Sequence, residues 1–429
     1  MSFDTVVLLF GFFALMFAGV PIAVALGLVA SGVIAHAGLG IMAIPTGTYT
    51  GIAKYPLLAI PVFILAGLIF ERSGVAARLV TLATALVGQR GGGLGIVAVL
   101  VCMVMGGISG SGPADAAAVA TVMTAGMAKA GYPRAFSASL IAAAGSTAIL
   151  IPPSIAFIVY SVLVPSATVP ALFAAGIFPG LLAGLSLMVP IVVISRWYGF
   201  GRDAEGERPR VWESLKDASW GLLAPVIILG GMRTGAFTPT EAAVVAVFYG
   251  LAVGVFVYRT IDLRGLYRLL VEAGEISAVV MLIVALASVF AWAGSTLGAF
   301  DQAAKLLLGL GLGEWGVMAV LMGLLIVAGM FLDGVSIFLI MLPILVPIAM
   351  AFGWDMVWFG VILTMNIAIG QFTPPVAVNL MVTCKVAGVS IESTIPWVVW
   401  MILAMASAMA LVIVFPGIAL WLPQALGYG

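Results

Sequence analysis

Two proline pairs, Pro152-Pro153 and Pro374-Pro375, interrupt two long apolar segments at positions 222 residues apart. Proline lacks an N–H and its ring clashes with the preceding turn, so neither segment is one unbroken helix. The same offset carries Gly107 onto Gly329, Ser111 onto Asp333, Gly112 onto Gly334, Gly131-Tyr132 onto Gly353-Trp354 and Phe136 onto Trp358. In a chain with 52 glycines, isolated Gly matches mean little. Two Pro-Pro pairs with the same upstream punctuation predict two copies of one architecture. Broken segments paired in two halves are the sequence mark of a transporter binding site.

The surroundings of these breaks are lipid. The chain is 64% hydrophobic and 8% charged, against about a quarter charged in soluble domains. Its apolar stretches are far longer than the ~10-residue strands of an outer-membrane barrel, so the fold class is an all-α polytopic membrane protein. Candidate crossings are 4–36, 47–70, 134–165, 172–195, 219–232, 238–258, 273–298, 356–388 and 396–421. The stretches 92–107 and 113–128 fall short of the ~20 residues a crossing needs. Between them lies Gly106-Gly-Ile-Ser-Gly-Ser-Gly-Pro113, which is hostile to a helix, and we read 92–128 as a re-entrant helical hairpin. A second hairpin, 315–351, turns around Met330-Phe-Leu-Asp-Gly334. Each hairpin precedes a broken transmembrane helix, 134–165 and 356–388. Residues 75–90 and 299–314, just before the hairpins, read as interfacial helices. The organisation is therefore a first repeat over 1–200, a cytoplasmic loop and linking helix over 201–237, and a second repeat over 238–429.

Charge sets the orientation. If the first hairpin enters and leaves on one face, four crossings precede Arg196, and 219–232 makes a fifth, so the second repeat is inverted. Fourteen of the seventeen Lys and Arg, Arg90 among them, then share the cytoplasmic face, leaving Lys54, Arg233 and Lys305 outside. This satisfies the positive-inside rule and predicts a cytoplasmic N-terminus, a periplasmic C-terminus and His36 at the periplasmic end of the first span. The opening Met1-Ser-Phe-Asp4 lacks a basic stretch, so the first helix is expected to be retained.

Several function classes drop out. Formal net charge is zero with no charged tail, which gives nucleic acid no footing. Cys102 and Cys384 lie in apolar segments and read as packing thiols. There is no nucleophile–base pair at workable spacing, and Gly91-Gly92-Gly93 lacks the Lys-Ser/Thr of a phosphate loop, so the chain is read as no enzyme, without a cofactor. Its driving force must come from an ion gradient or an external partner.

The chemistry sits where helices stop in mid-membrane. A hairpin tip or an unwound span exposes carbonyls that suit a bare Na⁺ and helix N-terminal amides that suit a carboxylate. The candidate Na⁺ ligands are Ser109, Ser111, Gly145 and Ser146 in the first repeat, and Gly329, Asp333, Asn366, Gly370 and Thr373 in the second. The candidate substrate contacts are Gly110, Ser111, Gly112, Pro153, Ser154, Thr373 and Pro374. These are hard oxygens and free amides, with no His or Cys cluster to bind zinc or copper. Ser111 is placed to cap the following helix. Asp115 suits either an ion site or its helix dipole, whereas a carboxylate at Asp333 in mid-hairpin must be paired or ligating. Thr238-Pro-Thr-Glu241 fits a capping box.

At these residues the chain resembles a known family. Gly107-Ile-Ser-Gly-Ser-Gly-Pro-Ala-Asp, Gly131-Tyr-Pro and Ile151-Pro-Pro-Ser-Ile are similar to the first half of the large membrane subunits of tripartite ATP-independent periplasmic (TRAP) transporters. Gly235-Ala-Phe-Thr-Pro-Thr-Glu-Ala, Phe331-Leu-Asp, Pro343-Ile-Leu-Val-Pro and Thr373-Pro-Pro-Val resemble the second half, and Gly19-Val-Pro-Ile the start. Gly370-Gln371-Phe372 departs from the family pattern by placing a polar Gln371 at the second break. The resemblance implies an elevator of the ion transporter superfamily, in the bacterial inner membrane, carrying a small organic acid with Na⁺. It also implies a small four-helix membrane subunit, here expected as a separate chain, and a periplasmic substrate-binding protein. A stand-alone Na⁺/dicarboxylate symporter of related fold is the alternative.

Overall fold

A computed structural model describes residues 2–89, 91–202 and 208–428. Arg90, and 203–207 of the expected cytoplasmic loop, lie outside the described residues. The first half contains α1 (Phe3–Phe17), α2 (Ile22–His36), α3 (Ala43–Ile52), α4 (Ala59–Arg72), α5 (Val75–Val87), α6 (Gly93–Ser109), α7 (Gly112–Lys129), α8 (Arg134–Ser146), α9 (Ile155–Leu163) and α10 (Val169–Tyr198). The second contains α11 (Val211–Arg233), α12 (Pro239–Ala252, continued by a π-helical turn over Val253–Val257), α13 (Leu263–Thr296), α14 (Ala299–Leu308), α15 (Gly313–Gly329), α16 (Gly334–Ala351), α17 (Met356–Gly370), α18 (Val378–Ala387), α19 (Ile395–Val414) and α20 (Gly417–Ala425). No strand occurs among the described residues.

The 222-residue offset carries both ends of α7 onto those of α16, and the start of α8 onto the start of α17. Packing is reciprocal as well. In one direction α2 lies on α13, α7 on α18 and α8 on α19; with the halves exchanged, α12 lies on α4, α16 on α9 and α17 on α10. The two broken helices run antiparallel. Near the start of α8, Ser139 Oγ donates to Thr394 O at 3.3 Å, just beyond the end of α18. At the far end, Tyr160 Oη of α9 donates to Met356 O at 2.8 Å, where α17 begins.

Three expected spans are divided differently. Residues 4–36 do not form one crossing. After Gly19 (φ +87°) and Pro21 the chain doubles back, and α1 packs against α2. His36 Nδ1 lies 2.7 Å from Asp4 Oδ1, so the N-terminus and His36 share one end rather than opposite faces. The span 47–70 is divided at Ala53-Lys54 between α3 and α4, and 396–421 at Phe415-Pro416 between α19 and α20. By contrast the short span 219–232 is part of the 23-residue α11, which has the length and apolarity to cross. The first two corrections share a cause: apolar composition runs through the breaks, and only a Gly-Val-Pro or Lys-Tyr-Pro marks them. At 34 residues α13 is about 51 Å long, so its Arg264 and Arg268 end extends past a ~30 Å hydrocarbon core.

Small residues bring the central helices together. α7 and α8 are Ala-rich, and a Cβ added at Gly145 would stand 2.7 Å from Cβ of Ala116. Without a hydrophobic drive between helices in lipid, such close approach supplies the packing energy.

Candidate functional site

The two hairpin tips meet at one cavity of about 270 Å³. Ser109 to Ala114 line it from the first hairpin, Asp333 to Val335 from the second, and Gln371 from the second broken helix. Apolar side chains including Ile64, Leu68, Ile155 and Val280 close the rest.

In the first tip Gly110 ends α6 in the left-handed region (φ +62°), which glycine adopts without strain. Its backbone lies on Pro153 and Ser154, for a Cβ there would collide with Pro153 O and stand 3.2 Å from Ser154 Cα. Ser109 Oγ donates to Asp115 Oδ1 at 2.7 Å and accepts from Ser111 N–H at 3.1 Å. The second oxygen of Asp115 is buried without a partner. The expected Ser111 cap is not formed: its side chain accepts no hydrogen bond from α7. The backbone N–H of Ser111 goes to Ser109 Oγ, and Ser111 borders the cavity.

The second tip is closed on itself. Asp333 Oδ2 accepts from Val335 N–H at 3.0 Å and Ser336 N–H at 3.4 Å, while Ser336 Oγ donates to Oδ1. The carboxylate thus caps α16, a contribution of about 0.5–2 kcal/mol. Gly329 and Gly370 pack backbone to backbone, a Cβ at Gly370 reaching 2.6 Å from Gly329 Cα.

The breaks are the mirror of the tips. At the first, Ser154 caps α9, accepting from Phe157 N–H at 3.4 Å and donating to Ile149 O at 2.5 Å. At the second, Ala377 precedes α18 with φ +55° and no side-chain cap.

Of the predicted residues, the structure gathers Ser109, Gly110, Ser111, Gly112 and Asp333 around the cavity, with Pro153 and Ser154 directly behind Gly110. Gly145 backs Gly112, its Cβ position 3.0 Å from Gly112 O. Ser146, Thr373 and Pro374 do not line the cavity. The first two hydroxyls bond the preceding turn, to Ala143 O and Ile369 O. Asn366 lies apart from it too, donating to Met322 O at 2.9 Å and leaving Oδ1 buried and unpartnered.

Two amides absent from the predicted set stand at the centre. Gln371 is 5% exposed and its Oε1 has no partner. Asn379 is fully buried, donates to Ala142 O at 3.4 Å and leaves Oδ1 unpartnered. Both flank Gly112: a Cβ there would stand 2.8 Å from Gln371 Oε1 and 3.0 Å from Asn379 Nδ2. A carboxamide in an apolar run was the available signal for Asn379. Gln371 was visible as a polar intrusion, but its proximity to Gly112 depends on packing between halves. Helix-start amides and buried neutral oxygens together form a surface that can hold an anion and a hard cation side by side.

Comparison with known proteins finds relatives over nearly the whole chain. A family model described as the DctM component of tripartite ATP-independent periplasmic transporters matches residues 9–418. The C4-dicarboxylate TRAP transporter large permease protein DctM of Pseudomonas aeruginosa is 42% identical over 377 residues, covering 87% of each chain. The isethionate TRAP transporter permease protein DctMQ of Oleidesulfovibrio alaskensis is 39% identical over 97% of this chain, which spans 66% of that relative. Among solved structures, the Alcanivorax borkumensis YdaH transporter, with its unusual topology, superposes with a TM-score of 0.57. It is 16% identical, with 87% of this chain and 88% of that chain covered, and shares the fold.

Proposed function

We propose that this chain, which belongs to the DctM component family of tripartite ATP-independent periplasmic transporters, is the subunit through which a small organic acid crosses the bacterial inner membrane, coupled to Na⁺. The observation that carries the reading is the meeting of both hairpin tips and the second helix break at one small cavity. A carboxylate or sulfonate fits the start of α7, where the first N–H groups of a helix lack partners and Ser111 supplies none. The relatives' names, C4-dicarboxylate and isethionate, cover both kinds of anion. Na⁺ fits the buried oxygens Asp115 Oδ2, Gln371 Oε1 and Asn379 Oδ1 near the start of α7, which have no partner of their own. The two cargoes then enter together, each screening the other's charge from lipid.

The antiparallel broken helices and the reciprocal packing support an inverted repeat, and with it an elevator in which the hairpins and broken helices move as a body. With the Arg-rich ends cytoplasmic, the end holding Asp4 and His36 is periplasmic. This reverses the orientation expected for the N-terminus and keeps the C-terminus periplasmic. A small four-helix membrane subunit and a periplasmic substrate-binding protein complete the system; in the isethionate relative the name DctMQ joins two components in one chain.

Proteoliposomes test the reading. With the small subunit and the loaded binding protein present, an inward Na⁺ gradient should drive uptake, and choline in place of Na⁺ should abolish it. Equal uptake in choline at fixed pH would sink the Na⁺ coupling. Uptake by this chain alone would favour the stand-alone symporter.

A further inference from the structure

We propose that Arg78 and Tyr258 form a latch that keeps the first hairpin docked on α11, so that the hairpin body moves only after this contact opens. The inference rests on the elevator reading above and names the contact that restrains it.

Each hairpin is joined to the helices before it by a short helix set between glycines. α5 runs from Gly74 (φ +76°) to Gly88 (φ +86°), and α14 from Gly298 (φ +64°) to Gly311 (φ +65°). Glycine enters this left-handed region without strain, so both ends of each joining helix can serve as pivots.

The two joining helices are held differently. Arg78 Nη1 donates to Gly74 O at 3.0 Å, across the first pivot itself. The same guanidinium lies over the Tyr258 ring, 3.6 Å from its centroid. Tyr258 is fixed in turn, its Oη donating to Asp217 O of α11 at 2.6 Å. At the other pivot of α5, Arg208 Nη2 donates to Leu86 O at 2.7 Å. Among the described residues, no side-chain cap or ion pair holds α14.

Tyr258 stands on irregular backbone. The π-helical turn Val253–Val257 leads into it, and Arg259 follows at φ +54°, which a residue with a Cβ rarely adopts. Such π-turns and strained residues gather at functional points. Here they bring the segment against the pivot: Ser73 Cβ lies 3.6 Å from a Cβ position at Gly254, and Thr260 Cγ2 lies 3.9 Å from one at Gly74.

The latch controls docking because arm and hairpin share one seat. A Cβ at Gly221 of α11 would stand 2.7 Å from Val75 Cγ1, at the start of α5. Pro225 Cβ lies 3.5 Å from a Cβ position at Gly107, near the end of α6. Asp217, Gly221 and Pro225 follow one another at four-residue steps, so all three lie along one side of α11. A turn at Gly74 swings α5 away from Gly221 and carries α6 away from Pro225. Arg78 resists that turn, since it ties Gly74 to Tyr258 and through it to Asp217. A cation–π contact at a partly exposed position is weak enough to open in every cycle.

The test is a disulfide between Gly107→Cys and Pro225→Cys in the purified full chain, with Cys102→Ala and Cys384→Ala. The 3.5 Å separation suits the bond, which forms only while the hairpin is docked. Arg78→Met should slow oxidative cross-linking about threefold or more. Tyr258→Leu should do the same, and the two together no more than either alone. Tyr258→Phe keeps the ring and should stay within about twofold of the parent. Lys305→Met, in the unclasped α14, should change nothing. The Tm of each variant should stay within about two degrees of the parent. An unchanged rate in both Arg78→Met and Tyr258→Leu, additive losses in the double variant, or no cross-link in the parent overturns the proposal. So does a slowed rate matched by a loss of Tm in both variants, because Arg78 would then be a folding contact. Cross-linking requires no transport, so a failed latch leaves the transport reading standing. Absence of Na⁺-driven uptake in the complete system strikes the transport reading instead.

Discussion

Two crossed pairs of helix starts stand at the centre of the molecule, and they differ in one respect. The starts of α16 and α9 pack together and both are capped, by Asp333 and Ser154. The starts of α7 and α18 pack together and neither has a side-chain cap. Around the capped pair the polar groups are satisfied from within. Around the uncapped pair lie Asp115 Oδ2, Gln371 Oε1 and Asn379 Oδ1, all buried and unpartnered. The 222-residue offset carries the start of α7 onto that of α16, so the difference lies in side chains rather than in the placement of the helices. Side chains close one pair and leave the other open, and ligands are expected at the open one.

The strongest way to break this comparison is Asp115→Asn. The 222-residue offset carries it onto Ile337, a fully buried apolar residue, so a carboxylate at this helix position exists only on the open side. Its ion-pair partner is not a Lys or Arg among the described residues. If a diffusible cation pairs with it, neutralising it removes one partner of a buried pair at a cost of about 3 kcal/mol. Na⁺-driven uptake should fall roughly 100-fold, with a raised Na⁺ requirement. Uptake within about threefold of wild type would show that Asp115 serves only Ser109.

Next in size is Gly329, where the second hairpin meets its broken helix, set against Gly107, the residue that the 222-residue offset carries onto it. A Cβ at Gly329 would stand 2.9 Å from Gly370 Cα, backbone that has nowhere to move. At its counterpart Gly107 the nearest atom is Pro225 Cγ at 3.4 Å, an ordinary contact. Gly329→Ala should therefore cost about 1–3 kcal/mol through overpacking, seen as a lower Tm of the purified protein. Gly107→Ala should leave the Tm within a degree or two. Equal losses would mean that the two positions are packed alike.

Much of this was legible in the sequence, for reasons that also explain what was not. Pro and Gly act locally, so the hairpins and both broken helices follow from their punctuation, and the Thr238/Glu241 capping box forms with both of its bonds. The reversal at Gly19-Val20-Pro21 was harder, because apolar residues continue on both sides and composition alone favours one span. The site divides in the same way. The tip residues Ser109 to Gly112 were readable from the helix stop itself. Gln371 and Asn379 become site residues only because packing between halves sets them beside Gly112, hundreds of residues away in the chain. The Ser111 cap does not form although the residue type and position suit one, whereas Asp333 at the repeat-related position caps α16.

Caps give a smaller contrast. Asp333→Ala removes three hydrogen bonds to the start of α16 and should lower stability by about 1–2 kcal/mol. Ser111→Ala removes none and should stay within about 0.5 kcal/mol while weakening uptake, because its hydroxyl serves the ligand. Thermal melts of the two variants beside uptake assays check both halves. A destabilised Ser111→Ala with unchanged uptake would make Ser111 a structural residue and close the open pair.

The smallest effect lies in the backbone of the second break. Ala377 has φ +55°, a left-handed conformation that costs a residue with a Cβ roughly 1–2 kcal/mol. Its repeat counterpart, Ile155, lies inside α9 and bears no such strain. Ala377→Gly relieves the conformation but gives the unfolded chain more freedom, an opposing ~0.4–1 kcal/mol. The balance is a gain of about 0.5 kcal/mol, a rise of about a degree in Tm, and Ile155→Gly should show a loss instead. If Ala377→Gly also slows uptake, the strain is holding Gln371 and Asn379 in place around Gly112, and the uncapped start of α18 is part of the site rather than its support.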